Sequence, residues 1–204
     1  MAQRRIGLTG GIATGKSTVA RLLEERFDLP VLDADRFAHG ALGPGTTGTE
    51  AVLARYGQRV RDRSAAEPTI DRTALGRIVF ADPAERTWLE GLVHPVVRQR
   101  FAERLEALAA APTVVLMIPL LYEAGLEGLC SEVWLVNCDQ AEQLRRLMAR
   151  DGLGEAEAIA RIAAQWPMAR KRARADVVID NGDRCGDADL EQQLARALSP
   201  SAAR

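Results

Sequence analysis

Apolar positions along the chain follow two rhythms. Continuous β-favouring runs at 5–9, 30–32, 113–118, 132–137 and 176–179 predict about five short strands. Runs without polar alternation suit strands covered on both faces, as in a parallel sheet. Between them the spacing turns helical. Val19, Leu22, Leu23 and Phe27 share one face of a helix starting near Lys16. Leu144, Leu147 and Met148 mark a second stripe, Ile159, Ile162 and Trp166 a third, and Leu190, Leu194 and Leu198 a last one. Strands alternating with helices predict an α/β fold, an open parallel sheet with helices on both faces.

The stretch 36–111 shows no convincing strand. Gly43-Pro44-Gly45 and Ala65-Ala66-Glu67-Pro68 punctuate it, and the rest has helical pieces. A connection this long needs structure of its own, so it is expected to form a helical lobe between the second and third strands. Residues 199–204 are expected to fray.

Composition narrows the function classes. Hydrophobic residues make up 47% and charged residues 27% of 204 positions, the balance of a soluble globular protein. A formal net charge of −1 gives no global basic field for nucleic acid or a membrane surface. Cys130, Cys138 and Cys185 are scattered and lack C-x-x-C spacing, against a zinc site or disulfide framework and in keeping with a reducing compartment. With no signal-peptide core and no apolar run long enough to span a bilayer, a cytoplasmic protein is expected. Of 27 Lys and Arg, only Lys16 and Lys171 are Lys.

The chemistry concentrates near the amino end. Gly10-Gly11-Ile12-Ala13-Thr14-Gly15-Lys16-Ser17 fits G-x-x-x-x-G-K-[ST], between a predicted strand and a predicted helix. Glycines let successive N–H groups converge on phosphate oxygens, and the helix N-terminus adds positive potential. Lys16 supplies a compact ammonium for the β- and γ-phosphates, and the Ser17 hydroxyl can ligate Mg²⁺. Arg's broad fork would not suit such a loop, so one of the two Lys stands where a point charge is needed.

Asp33 and Asp35, two apart at a predicted strand end, are expected to share a face at the sheet edge where ligands bind. One can accept a hydroxyl proton while the other orients Mg²⁺ or binds substrate. His39 and His94 are the only histidines; His94 precedes Pro95, as in a chain entering a helix, and suits packing or a substrate contact. Arg146 and Arg150, with Arg161, form either a lid over phosphates or a solvated face. Arg170-Lys171-Arg172-Ala173-Arg174 lacks interleaved aromatics and is taken as a solvated stretch rather than a nucleic-acid patch.

Together these residues resemble the dephospho-coenzyme A kinase family over about 5–198. The resemblance is carried by 7–12 with Gly15-Lys16-Ser17, by Asp33-Ala34-Asp35 with His39, and by Asp71-Arg72-Thr73-Ala74-Leu75 with Val79-Phe80 and His94-Pro95. It continues through Pro119-Leu120-Leu121-Tyr122-Glu123, Arg146 with Arg150-Asp151-Gly152-Leu153, Arg161-Ile162-Ala163-Ala164-Gln165, and Ala175-Asp176 with Asn181.

The resemblance implies a P-loop kinase fold whose nucleotide-binding core is 1–36, 112–138 and 166–204, with a helical CoA lobe at 37–111 and a lid at 139–165. It implies that Gly11, Ala13, Thr14, Gly15, Lys16, Ser17, Thr18, Arg146, Arg150 and Asn181 bind ATP, with Mg²⁺ at Ser17. Asp33 would activate the ribose 3′-hydroxyl of dephospho-CoA with Lys16 as catalytic partner, and Thr9, Asp35, His39, His94, Leu120, Arg161 and Gln165 would serve that substrate. Two positions depart: Ala13 stands where the family usually has Gly, and Trp166 where smaller apolar residues are common. The rival acceptors are those of nucleoside or nucleotide kinases, which the loop alone does not distinguish. A GTPase would need an N-K-x-D motif, which is absent. A non-catalytic nucleotide-binding regulator is disfavoured, because Asp33 and the lid arginines are intact.

Overall fold

The computed structural model describes residues 2–199, so 200–204 of the expected frayed tail lie outside it. In chain order the elements are β1 (Arg4–Gly10), α1 (Lys16–Phe27), β2 (Val31–Asp33), α2 (Ala34–Ala41), α3 (Thr47–Tyr56), α4 (Arg72–Ala81), α5 (Pro83–Ala107) and β3 (Thr113–Met117). There follow β4 (Glu132–Asn137), α6 (Gln140–Asp151), α7 (Glu155–Ala163), α8 (Met168–Arg172), β5 (Val177–Asp180) and α9 (Asp187–Leu198). They form two compact units: 2–33 with 108–199, and Ala34–Ala107.

The first unit is built on a parallel sheet in the order β2-β3-β1-β4-β5. Its continuous apolar strands follow from burial on both faces. Ile6 and Leu8 pack with Val115, Trp134 and Ile179 and with Val19, Leu22 and Leu23 of α1 and Leu190 and Leu194 of α9. Val114, Leu116, Val133 and Leu135, at the alternate positions, are buried too. Gly7 shares that second face, and a Cβ there would lie 2.6 Å from Cys130 Sγ. β1 is central, and the chain leaves it toward β2 on one side and reaches β4 on the other. Its carboxyl end is therefore the switch point at which such sheets bind ligands.

The second unit is helical, with one isolated bridge between Arg61 and Ile70. Asp71 caps α4 by accepting from the Thr73 and Ala74 amides, both at 3.0 Å. Arg72 Nη2 donates to the carbonyls of His39 (2.8 Å) and Leu42, securing the last turn of α2. A second tie joins α3 to α5: Arg55 and the Tyr56 hydroxyl both donate to Glu85, and Arg55 stacks on Trp88 at 4.6 Å. One expectation fails here. α5 does not start at Pro95 but runs through it, with His94 and Pro95 both exposed. The ring removes one backbone donor and crowds the carbonyl four residues back, which belongs to Gly91. No helix among the described residues is long and apolar enough to cross a membrane.

Candidate active site

The phosphate loop leaves β1 at Gly10 and enters α1 at Lys16. Two left-handed residues shape it, Ala13 (φ 59°) and Gly15 (φ 91°). Gly15 is fixed twice over, since a Cβ there would also lie 2.0 Å from Asn181 Nδ2. Gly10 has no room either: its Cβ would sit 2.6 Å from Val136 O. The Lys16 ammonium lies over the loop, donating to the carbonyls of Gly10 (3.1 Å) and Gly11 (2.7 Å). Ser17 is exposed in the first turn of α1, and Thr18 N bonds Gly15 O at 3.0 Å. The loop thus brings an ammonium, a serine and a helix N-terminus close together in sequence, the arrangement that suits a polyphosphate.

Long-range partners hold the loop. Asn181 Nδ2, buried, donates to Thr14 O at 2.9 Å, and Gln143 Nε2, also buried, donates to Ile12 O at 2.7 Å. The Ile12 amide donates to Gln165 Oε1 at 2.8 Å. Beneath the loop, Thr9 Oγ1 donates to Pro119 O at 3.1 Å, tying β1 to the turn after β3 where Leu120 is exposed. Gln143 was missed by the sequence reading. Its signal was its place four residues before buried Leu147, on the inward face of α6.

Asp33 closes β2, half-buried and in register with Met117 of β3. β2 stands two strands from β1, so its carboxylate side of the sheet edge is about 10 Å from the loop along the sheet. Asp35 does not share its strand face, because β2 ends at Asp33 and Asp35 is already an exposed residue in the first turn of α2. The period-two rule stops with the strand. His39 occupies the last turn of α2, and His94 the middle of α5.

The arginines separate into two groups. Arg146, half-buried, pairs with Glu142 and brings Nη1 to 3.9 Å from where a Gly15 Cβ would be. Arg150 and Arg161 instead meet on Asp151, at 2.7 and 3.4 Å, and join the end of α6 to α7. The Ile159, Ile162 and Trp166 stripe is not core. With Gly11, Gln143 and Met168 it lines a cavity of about 470 Å³ beside the phosphate loop.

The basic run at 170–174 is not simply solvated. Lys171 is fully buried, its Nζ 2.7 Å from Glu123 Oε1, while Arg170, Arg172 and Arg174 are exposed. Burial alone would raise the Glu123 carboxyl, but Lys171 and the Trp166 amide together hold it below the usual range. Trp166 stacks on Tyr122 at 6.0 Å and carries the Arg170 guanidinium 3.3 Å from its ring centre.

No group of three or more His, Cys, Asp or Glu among the described residues could hold a metal ion. The Ser17 hydroxyl in the first turn of α1 suits Mg²⁺, which keeps most of its water and is bound by one or two side chains plus phosphate oxygens.

A family model described as dephospho-CoA kinase matches residues 4–187. A relative named dephospho-CoA kinase, from Synechococcus sp. (strain CC9605), is 58% identical over 201 residues, covering 98% of this chain and 96% of its own. Among solved structures, TT1252 from Thermus thermophilus superposes with a TM-score of 0.82 at 39% identity, over 97% of each chain. The dephospho-CoA kinase from Campylobacter jejuni gives 0.72 at 26% identity, over 99% of this chain and 100% of that one.

Proposed function

The chain belongs to the dephospho-CoA kinase family, and from that premise we propose that it transfers the γ-phosphoryl group of ATP to the ribose 3′-hydroxyl of dephospho-CoA, releasing CoA and ADP in the cytoplasm. The observation that carries this reading is the phosphate loop, with Lys16 and Asp33 set along the carboxyl edge of one sheet.

The loop amides and the α1 N-terminus hold the β- and γ-phosphates of ATP. Lys16 swings from its own loop carbonyls onto them and offsets the charge that builds on the bridging oxygen. Arg146, beside Gly15, adds a second cation on the nucleotide side. Mg²⁺, carried in with ATP, would be held through the Ser17 hydroxyl and would neutralise β- and γ-oxygen charge. Asp33 accepts the proton of the 3′-hydroxyl as its oxygen forms the new bond to phosphorus and the β–γ bridging bond breaks, with ADP as leaving group. An offset of about 10 Å between β2 and the loop leaves room for the transferring group and the attacking alcohol in line.

In this proposal the helical lobe at 37–111 engages the CoA part of the acceptor, through residues such as His39 and His94. Asp35, Thr9, Leu120, Arg161 and Gln165 also serve the acceptor, and Arg150 and Asn181 the nucleotide. Helices α6 and α7 act as the lid.

The test is an acceptor panel. Purified protein with ATP and Mg²⁺ is given dephospho-CoA, AMP, UMP and pantothenate in parallel while ADP release is followed. Turnover is expected on dephospho-CoA alone. Turnover only on a nucleoside monophosphate would replace this reading with a nucleotide kinase of the same fold.

A further inference from the structure

Lys171 is a costly residue. Its side chain is fully buried between exposed arginines, in a chain whose only other lysine lies in the phosphate loop. Its Nζ pairs with Glu123 Oε1 at 2.7 Å, yet neither Nζ nor Glu123 Oε2 has an aligned hydrogen-bond partner among the described residues. The contact is therefore an ion pair by distance rather than a well-directed hydrogen bond. Lys171 is buried and Glu123 half-buried; replacing such a largely desolvated pair with apolar groups is often neutral or stabilising, so stability is a weak reason for having it. A geometric role is a better one.

The geometry leads directly to the phosphate loop. The carboxylate oxygen that meets Lys171 also accepts from Trp166 N at 3.0 Å. The residue joined to that nitrogen is Gln165, whose Oε1 accepts from Ile12 N at 2.8 Å. From the other side Gln143 Nε2 donates to Ile12 O at 2.7 Å, so both polar groups of this loop residue are held. The Tyr122–Trp166 stack locks the same corner, being built from the neighbours of Glu123 and Gln165.

We propose that Glu123 and Lys171 are positioning residues: their ion pair, with Lys171 fully buried and Glu123 half-buried, fixes the Gln165–Trp166 peptide so that Gln165 holds the Ile12 amide and sets the shape of the phosphate loop. Glu123 is the hub, and Lys171 keeps its carboxylate charged and aimed at Trp166 N. The proposal rests on the loop as a phosphate site and is independent of the acceptor.

The experiment compares wild type, Lys171→Met and the milder Glu123→Gln, the latter in case the first does not fold. Hydrogen exchange at the Ile12 amide is measured by NMR, with the amides of β1 as internal reference, and ADP affinity by calorimetry. Exchange at Ile12 is expected to quicken at least about tenfold with β1 unchanged, and ADP to bind about tenfold more weakly, about 1.4 kcal/mol. In a Gln165→Leu background the same substitutions are expected to add little, because the link is already cut. Unchanged Ile12 protection in a folded variant overturns the proposal, as do fully additive losses. A purely structural pair would lower the melting temperature without singling out Ile12. Failure of wild type to bind ADP would count against the triphosphate reading alone, since Ile12 exchange still judges the pair.

Discussion

Ala13 offers a test in which the strain, not a contact, sets the outcome. It has φ 59° in a half-buried turn of the phosphate loop, where an L-residue crowds its own carbonyl. That conformation costs a non-glycine residue roughly 1–2 kcal/mol. Ala13→Gly removes the strain but gives the unfolded chain more freedom, a loss of about 0.4–1 kcal/mol. Deleting a half-buried methyl takes away about 0.4 kcal/mol more, half of what a fully buried one contributes. The balance is a gain of about 0.5 kcal/mol, or about 1–2 °C in melting temperature for a chain of this size. Ala13→Val, β-branched in the same position, should fall well below wild type. Calorimetric melts of the three proteins, with and without ADP, make the comparison. A glycine variant melting 2 °C or more below wild type would refute the reasoning, because that is how Ala→Gly behaves where φ is negative.

Other expectations follow from named contacts. Gly15→Ala places a Cβ 2.0 Å from Asn181 Nδ2 at φ 91°, so ADP binding by calorimetry should weaken by at least about 100-fold; binding within threefold of wild type would contradict the loop geometry. Asp33→Asn should lower kcat by about 10²–10⁴ while the KM for ATP moves little, and a near-normal kcat would remove Asp33 as base. Glu85, held at about 2 by bonds from Arg55 and Tyr56, has a folded value below its ordinary 4.5. Its contribution is complete above about pH 4.5 and is lost as the pH falls toward 2, so melting temperature should drop across that window. Glu85→Gln should flatten that part of the profile, and an unchanged slope would show that the Arg55 tie is not responsible.

The parts of the molecule legible in sequence were the local ones. The loop, its strand and its helix lie within 4–27, and the apolar runs marked the strands because both sheet faces are buried. What holds the loop was legible only in part: the resemblance named Asn181 and Gln165 but not that they brace the loop, and Gln143 went unnamed. Gln143 and Asn181 reach partners 131 and 167 positions away, distances at which no periodicity carries a signal. Lys171 did leave a trace, as a lysine in a chain that otherwise uses arginine, but a run of basic residues looks solvated until its one inward position is known. Pro95 misled for a physical reason: proline usually opens a helix, and here an exposed site opposite Gly91 lets α5 continue. Asp35 misled because the strand ended two residues sooner than the pairing required.

The most direct test of the central claim is where the phosphate goes. Dephospho-CoA is incubated with the protein, ATP and Mg²⁺, and the product is followed by ³¹P NMR. The account calls for a new phosphomonoester signal coupled to the ribose 3′-proton, growing in step with ADP and absent with Lys16→Met. A phosphate on any other hydroxyl, or ADP formed with inorganic phosphate alone, would contradict it.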